Sequence, residues 1–421
     1  MTVSVWKEPR PVEPEPPGPD SSVAAPTVIG PGVETFRTGS GAESWDGSCK
    51  YLHEHFDEIS ARATGEDGIP CVEVTIPPPS ENRPQPYDLN PDAFDLVAHP
   101  KECEGYTDWV VNRTAQCKRD RVNITIFEQR TKVALGTLNV NRRTLSYTNA
   151  GNPVWGVQTT LSLAGATGVG YGASVRGLGT CGSPQPGEMS ECTPNGPNRF
   201  GPSPALNPNF PFTGETYYRG TKTGPGQSGS AKNTVDLTFT NPKWQTPEFS
   251  STFVPHPVRC DNAIKGRGPG CVVPSHTPAI AYSRTGDVSE LARHIGDAQA
   301  SGLPGAYPSG PPLTRLMDKD DAKDNRGRAC PRTYTRPTGL SCDEYPFASS
   351  YQGAEQTSGR GRTFDYCHLY PNLPKGIRGA TGYSACMIND AQNKRGGSQL
   401  SAFFSRNRIL DRDAYRVWIQ P

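Results

Sequence analysis

Residues 123–140 read NITIFEQRTKVALGTLNV. Asn123–Phe127 and Lys132–Val140 alternate polar and apolar side chains, the period of a half-buried strand. Thr159–Leu163 and Thr234–Phe239 (TVDLTF) repeat the pattern, and the stretches between them, such as 179–200 and 220–233, are rich in Gly, Pro and Asn. Short strands parted by turn-rich loops predict an antiparallel sandwich or barrel-like all-β domain over residues 41–275. A helix is expected at Cys49–Ala61, and no internal repeat is visible. Ahead of the strands, residues 1–40 are rich in proline and acids and read as an extended, disordered leader, with order beginning near Trp45.

The composition agrees. Of 421 residues, 45 are Gly and 43 Pro, and only 33% are apolar, against about 45–50% in ordinary domains. Neither Gly nor Pro suits helix interiors, so a mostly helical protein is excluded. No run approaches the roughly 20 apolar residues of a membrane-spanning helix. A net charge of +1 excludes a polycation that coats nucleic acid indiscriminately.

The texture changes near His276. Asp287–Ala300 (DVSELARHIGDAQA) carries Val288, Leu291, Ala292, Ile295 and Ala298 on one helical face. Asp287 is expected to cap this helix, with Glu290 as capping-box partner. Residues 276–421 therefore read as a second, small α+β domain. It carries 19 Lys/Arg against 14 Asp/Glu, a mildly basic balance compatible with a polyanionic substrate.

Twelve cysteines occur, at positions 49, 71, 103, 117, 181, 192, 260, 271, 330, 342, 367 and 386, with no CxxC pair to suggest structural zinc. Cys49, Cys71, Cys103, Cys117, Cys181, Cys192, Cys260, Cys271, Cys330, Cys342, Cys367 and Cys386 read as disulfides of an oxidising compartment, the alternative being buried thiols. Sequence does not determine connectivity, but short gaps within successive pairs favour nearest neighbours. The amino terminus shows no apolar signal-peptide core, so either an export signal has been removed or the chain leaves the cell by a route that needs none. Asn112-Arg113-Thr114 and Asn123-Ile124-Thr125 fit the glycosylation sequon, which a bacterial source would leave bare.

Cys342-Asp343-Glu344-Tyr345-Pro346-Phe347-Ala348 concentrates the chemistry. Two adjacent carboxylates stand beside a half-cystine and ahead of an aromatic-Pro-aromatic turn. On a strand the two face opposite ways, so only one enters a given site unless the segment bulges or turns. The alternative is a surface turn with two solvated acids. The segment CDEYPFASSYQGA resembles the signature of the NucA/NucB-type deoxyribonucleases, in particular the secreted actinobacterial branch. Further blocks resemble the family in order: Arg293–Gln299, Pro312–Arg315, Asp324–Arg326 through Cys330-Pro331, Gly382–Met387, Asn393–Leu400 and Phe403–Asp413. The resemblance covers about residues 276–421.

That resemblance implies a secreted, metal-dependent endodeoxyribonuclease with little sequence preference, using Mg²⁺ or Mn²⁺. DNA would be bound through its phosphate backbone without any membrane, and an immunity or inhibitor protein would accompany a toxin role. Asp343 is assigned as general base and Glu344 as metal ligand, roles that could be exchanged. His294, beside the apolar stripe of its helix, reads either as a packed residue or as a catalytic or phosphate-contacting one. Asn393 and Asn407 could complete a metal shell or serve as turn and cap residues. Gln399 stands where some relatives place a functional, often acidic, residue. Arg360, Arg362, Arg395 and Arg408 are candidates to hold DNA phosphate, or are ordinary solvated arginines. His368 reads as surface. The rival reading is a disulfide-stapled β-rich binding or structural protein carrying an inactive nuclease-like domain.

Overall fold

The computed structural model describes residues 27–28, 34–38, 45–46, 48–62, 68–78, 105, 107–128, 130–182, 191–196, 199–244 and 248–421. Residues 1–26, most of the expected leader, lie outside them. Two short strands fall within the rest of that stretch. Thr27–Val28 pairs with Thr107–Val111, and Glu34–Thr38 pairs with Glu248–Phe253. The chain divides into two compact units, one spanning Pro26–His276 and one holding Thr277–Pro421.

The first unit is built on the strands that the alternation predicts. Ala115–Glu128, Ala134–Asn149 and Asn152–Gly168 form an antiparallel meander, with Val122 opposite Val140 and Val140 opposite Leu163. A second antiparallel sheet centres on Ser228–Thr240, flanked by Ser174–Gly182 and Glu248–Phe253. Ile124, Val140, Trp155, Leu237 and Phe239 from the two sheets share one core, which makes the unit a sandwich. The expected helix at Cys49–Ala61 is two helices, α1 (Cys49–Glu54) and α2 (Phe56–Arg62). The break is at His55, whose ring stacks on Tyr51 and whose Nδ1 bonds the Tyr51 carbonyl. The Tyr51 carbonyl accepts the His55 backbone N–H as well, so both bonds close the end of α1 there.

The second unit has two three-stranded sheets around three helices. In one sheet Ala279–Ser283 runs parallel to Ala414–Gln420, which pairs antiparallel with Leu313–Thr314. In the other, Tyr383–Asn389 is central between Leu340–Tyr345, antiparallel, and Gly361–Arg362, parallel. Leu340–Tyr345 is therefore an edge strand. The helices are α3 (Ser289–Ala300), α4 (Lys319–Ala329) and α5 (Asp390–Arg406). The predicted stripe of α3 is buried, packed with Tyr345, Ile388, Phe403 and Val417. Its start differs from expectation: Val288 occupies the cap position without a side-chain bond. Asp287 instead pairs with Arg395, and Glu290 accepts the Asn389 N–H, so tertiary partners have drawn both acids away from the helix end.

Among the described residues, disulfides join the successive cysteines 49–71, 181–192, 260–271, 330–342 and 367–386. Cys103 lies outside the described residues. The Cys330–Cys342 bridge ties the end of α4 to the edge strand, immediately before the two carboxylates.

Candidate active site

Strand alternation distributes the two acids as expected, to opposite faces. Asp343 stands opposite Cys386 and turns toward α3; Glu344 stands opposite Ala385 and turns toward α4. Both nevertheless line one cavity of about 290 Å³. The strand is at the sheet's edge, so a space beyond its rim is reached from either face. Asn393, Gly396 and Leu400 of α5 form another wall. Gly396 lets α3 come close, since a Cβ at this position would stand 2.1 Å from a terminal methyl of Leu291, which would have to turn away. Asn393 Nδ2 donates to Ser341 Oγ at 3.0 Å and to the Cys342 carbonyl at 3.2 Å, covering part of the strand edge.

Asp343 is held from behind. Its Oδ2 lies 2.6 Å from His294 Nδ1, and His294 Nε2 lies 2.8 Å from Ser384 Oγ. His294 and Ser384 are wholly buried. A carboxylate only accepts, so the ring proton sits on Nδ1, and in the neutral ring Nε2 accepts from the Ser384 hydroxyl. The chain of bonds thus runs from the protein interior to a carboxylate at the cavity wall.

Glu344 is a carboxyl in a costly place. Its side chain is 15% exposed. Burial, and then the neighbouring charge of Asp343, push its pKa from 4.5 up to about 8. The positive charge of Arg326 and the Ala348 N–H oppose that rise. Arg326 Nε is 3.9 Å from Glu344 Oε1, and the bridged Cys330 Sγ is 3.9 Å from Oε2.

Two acids thus line one cavity, one bonded to a buried histidine and the other raised in pKa by burial, beside a cationic side chain. The comparisons with known proteins bear on its identity. Residues 313–418 match the family model Deoxyribonuclease NucA/NucB. That stretch, about a quarter of the chain, is a NucA/NucB domain and contains Arg326, Asp343, Glu344, Ser384 and Asn393. His294 precedes it. No curated protein and no solved structure gives a significant match.

Several residues predicted for the NucA/NucB site take other places. Arg362 is buried and donates to the carbonyls of Ser301, Gly379 and Thr381, so it ties loops together and cannot meet DNA. Arg408 is wholly buried beyond the end of α5, at φ +45°. Arg395 is exposed, but it pairs with Asp287 and is absent from the cavity wall. Arg360 is exposed next to the far strand of the sheet. Gln399 falls outside the stripe of α5 that lines the cavity. Asn407 caps the end of α5, its Nδ2 bonding the Phe403 carbonyl. Fourteen residues of helix, about 21 Å, separate it from Asn393, so the two do not share an ion. His368 is exposed, as read.

Ser384 and Arg326 were not singled out from the sequence. Ser384 leaves a trace: it is the polar member of a face otherwise formed by Cys386 and Ile388. Arg326 looks like any exposed helical arginine.

The reassignment of Arg362 is testable. Arg362→Ala removes the donor to the Gly379 and Thr381 carbonyls and one of two donors to the Ser301 carbonyl, which also accepts the Gly379 N–H, and should cost about 2 kcal/mol. Thermal unfolding of the full chain should fall accordingly. The salt dependence of DNA binding should stay that of the parent, and a reduced slope would return Arg362 to the DNA interface.

Proposed function

We propose that the carboxy-terminal unit is a secreted, divalent-cation-dependent endodeoxyribonuclease with little sequence preference, acting on extracellular or competitor DNA. The NucA/NucB match supports a deoxyribonuclease and DNA as its substrate. The observation that carries the finer reading is the convergence of Asp343 and Glu344 on one cavity, with Asp343 bonded to buried His294.

The donor set suits a hard cation. Among the described residues no group of three or more His, Cys, Asp or Glu could cage a metal. Mg²⁺ and Mn²⁺ need no such cage, since one or two carboxylates suffice when water and phosphate oxygens complete the shell. Glu344 and the amide oxygen of Asn393 would hold the ion. When bound, it supplies positive charge against the phosphate oxygens as negative charge develops there.

The chain's own residues do the rest. Asp343 Oδ1, the oxygen that His294 leaves free, accepts the proton of the attacking water. His294 Nδ1–H keeps the carboxylate in one orientation, and Ser384 keeps the ring in one tautomer. Phe347 and Leu400 narrow the apolar side of the cavity and limit competing water. The arginines that remain on the surface, Arg360 among them, offer the phosphate backbone contacts without sequence information. The disulfides support action outside the cell.

The oxidised full chain should nick supercoiled plasmid with Mg²⁺ or Mn²⁺ and stop when EDTA is added. Undiminished nicking in EDTA would remove the cation from the reaction. Failure to nick with any divalent cation would leave the inactive, β-rich binding protein as the better account.

A further inference from the structure

The geometry points to Arg326 as the residue that grips the scissile phosphodiester, its guanidinium leaving Glu344 for the non-bridging phosphate oxygens when DNA enters. This inference rests on the hydrolase reading above and adds a substrate-contacting residue to it.

The charge of the cavity motivates the assignment. Its acidic wall is Asp343 and Glu344, and an entering phosphodiester carries a further negative charge. Among the described residues of the wall, Arg326 is the one cation. The arginines that the sequence offers for this task are elsewhere: Arg362 and Arg408 are buried, Arg395 is held by Asp287, and exposed Arg360 is absent from the cavity wall.

Arg326 is also mounted for such a role. Its neighbour Asn325 is wholly buried and uses both ends of its amide. Nδ2 donates to the Ala348 carbonyl at 2.9 Å, and Oδ1 accepts the Glu355 N–H at 2.8 Å. Gly353 lets this amide approach, since a Cβ there would stand 2.4 Å from it. The Cys330–Cys342 bridge fastens the end of the same helix to the strand of the acids. The backbone under Arg326 is thus fixed to the cavity wall, while its side chain is 65% exposed and touches Glu344 only through Nε at 3.9 Å. An exposed, long ion pair of this kind is weak. A guanidinium on phosphate forms two parallel, charge-assisted hydrogen bonds, so the exchange of partners is favourable. A cation at Glu344 would add to it by repelling the guanidinium toward the substrate.

The test compares the full chain with Arg326→Ala and Arg326→Lys on a short duplex. With Mg²⁺, Arg326→Ala should lower kcat/KM by about 10²–10³-fold. Added guanidine should restore part of it. Arg326→Lys should keep the charge yet lose the fork, and fall in between. Binding of the duplex in EDTA is measured beside it. There the log–log salt slope should lose about 0.9 in Arg326→Ala, one phosphate contact, whether or not the parent cuts. Mn²⁺ affinity, read by electron paramagnetic resonance, should hold or tighten in Arg326→Ala, because a neighbouring positive charge has gone. An unchanged salt slope, or a loss of rate that saturating Mn²⁺ repairs, would overturn the assignment. If the parent is active, Glu344→Gln is inactive and Arg326→Ala cuts like the parent, this inference alone fails; an inactive parent instead counts against the hydrolase reading.

Discussion

Replacing Asp343 with Asn lowers the rate of DNA cleavage by about 10²–10⁴-fold, the usual worth of a positioned general base, and leaves the fold intact. The amide oxygen of Asn still accepts from His294 Nδ1, so the 2.6 Å contact and the buried pair behind it persist. What disappears is the capacity to take a proton. DNA affinity in chelator should stay within about twofold of the parent, since a group that acts only in the transition state changes kcat and not binding. His294→Gln should act more weakly, about 10–10²-fold in kcat with KM little changed, because the carboxylate survives but loses its fixed orientation. An Asp343→Asn protein that nicks plasmid at more than a tenth of the parent rate would remove Asp343 from the chemistry.

Glu344→Gln should abolish cation-dependent cleavage and, in the metal-free protein, stabilise the fold. The sign follows from the raised pKa. In the unfolded chain the carboxyl loses its proton near pH 4.5, whereas the folded protein retains it up to about pH 8. Below pH 4.5 both states are protonated and the residue has no cost. Between the two values the folded state holds the extra proton, so stability falls as pH rises; above pH 8 the whole penalty is present. Gln has the same shape, can still accept the Ala348 N–H, and never ionises. We expect a gain of about 5 kcal/mol at pH 9, about 1.36 kcal/mol for each pH unit between the two values, vanishing toward pH 4 and read as the difference in Tm across a pH series. A divalent cation should narrow the gap between the two proteins. At 100 times its Kd it adds about 2.7 kcal/mol to the parent, and little to the variant. A variant no more stable than the parent at pH 9 would mean that Glu344 is at ease in the fold, and its role as a strained cation ligand would go.

Local chemistry made much of this legible. The alternation in residues 123–140 placed the meander, and the apolar stripe in 287–300 placed α3. Alternation also put Asp343 and Glu344 on opposite faces, which is where they are. The pattern could not say that their strand lies at a sheet edge, because that depends on pairing with Tyr383–Asn389, some 40 residues on. For the same reason the partner of Asp343 was hidden. His294 is 49 residues away, and Ser384 a further 90 from His294. Arginine is usually exposed, so reading Arg362 and Arg408 as surface followed the ordinary rule. Both are exceptions, and Arg362 is one because its guanidinium ties together the carbonyls of Ser301, Gly379 and Thr381. Asp287 had the right position for a cap; its loss to Arg395 is a competition that only the packing of α5 against α3 decides.

The placement of His294 ahead of residue 313 has a practical corollary for anyone trimming the gene. A fragment cut to the matched boundaries would keep both acids and the arginine, yet discard Ala279–Ser283 and all of α3. Its Asp343 would then lack the imidazole at its back, and Ser384 would face a hole where a helix had been. Such a truncation would come out of a recombinant screen looking like a dead enzyme, when what it had lost was the frame.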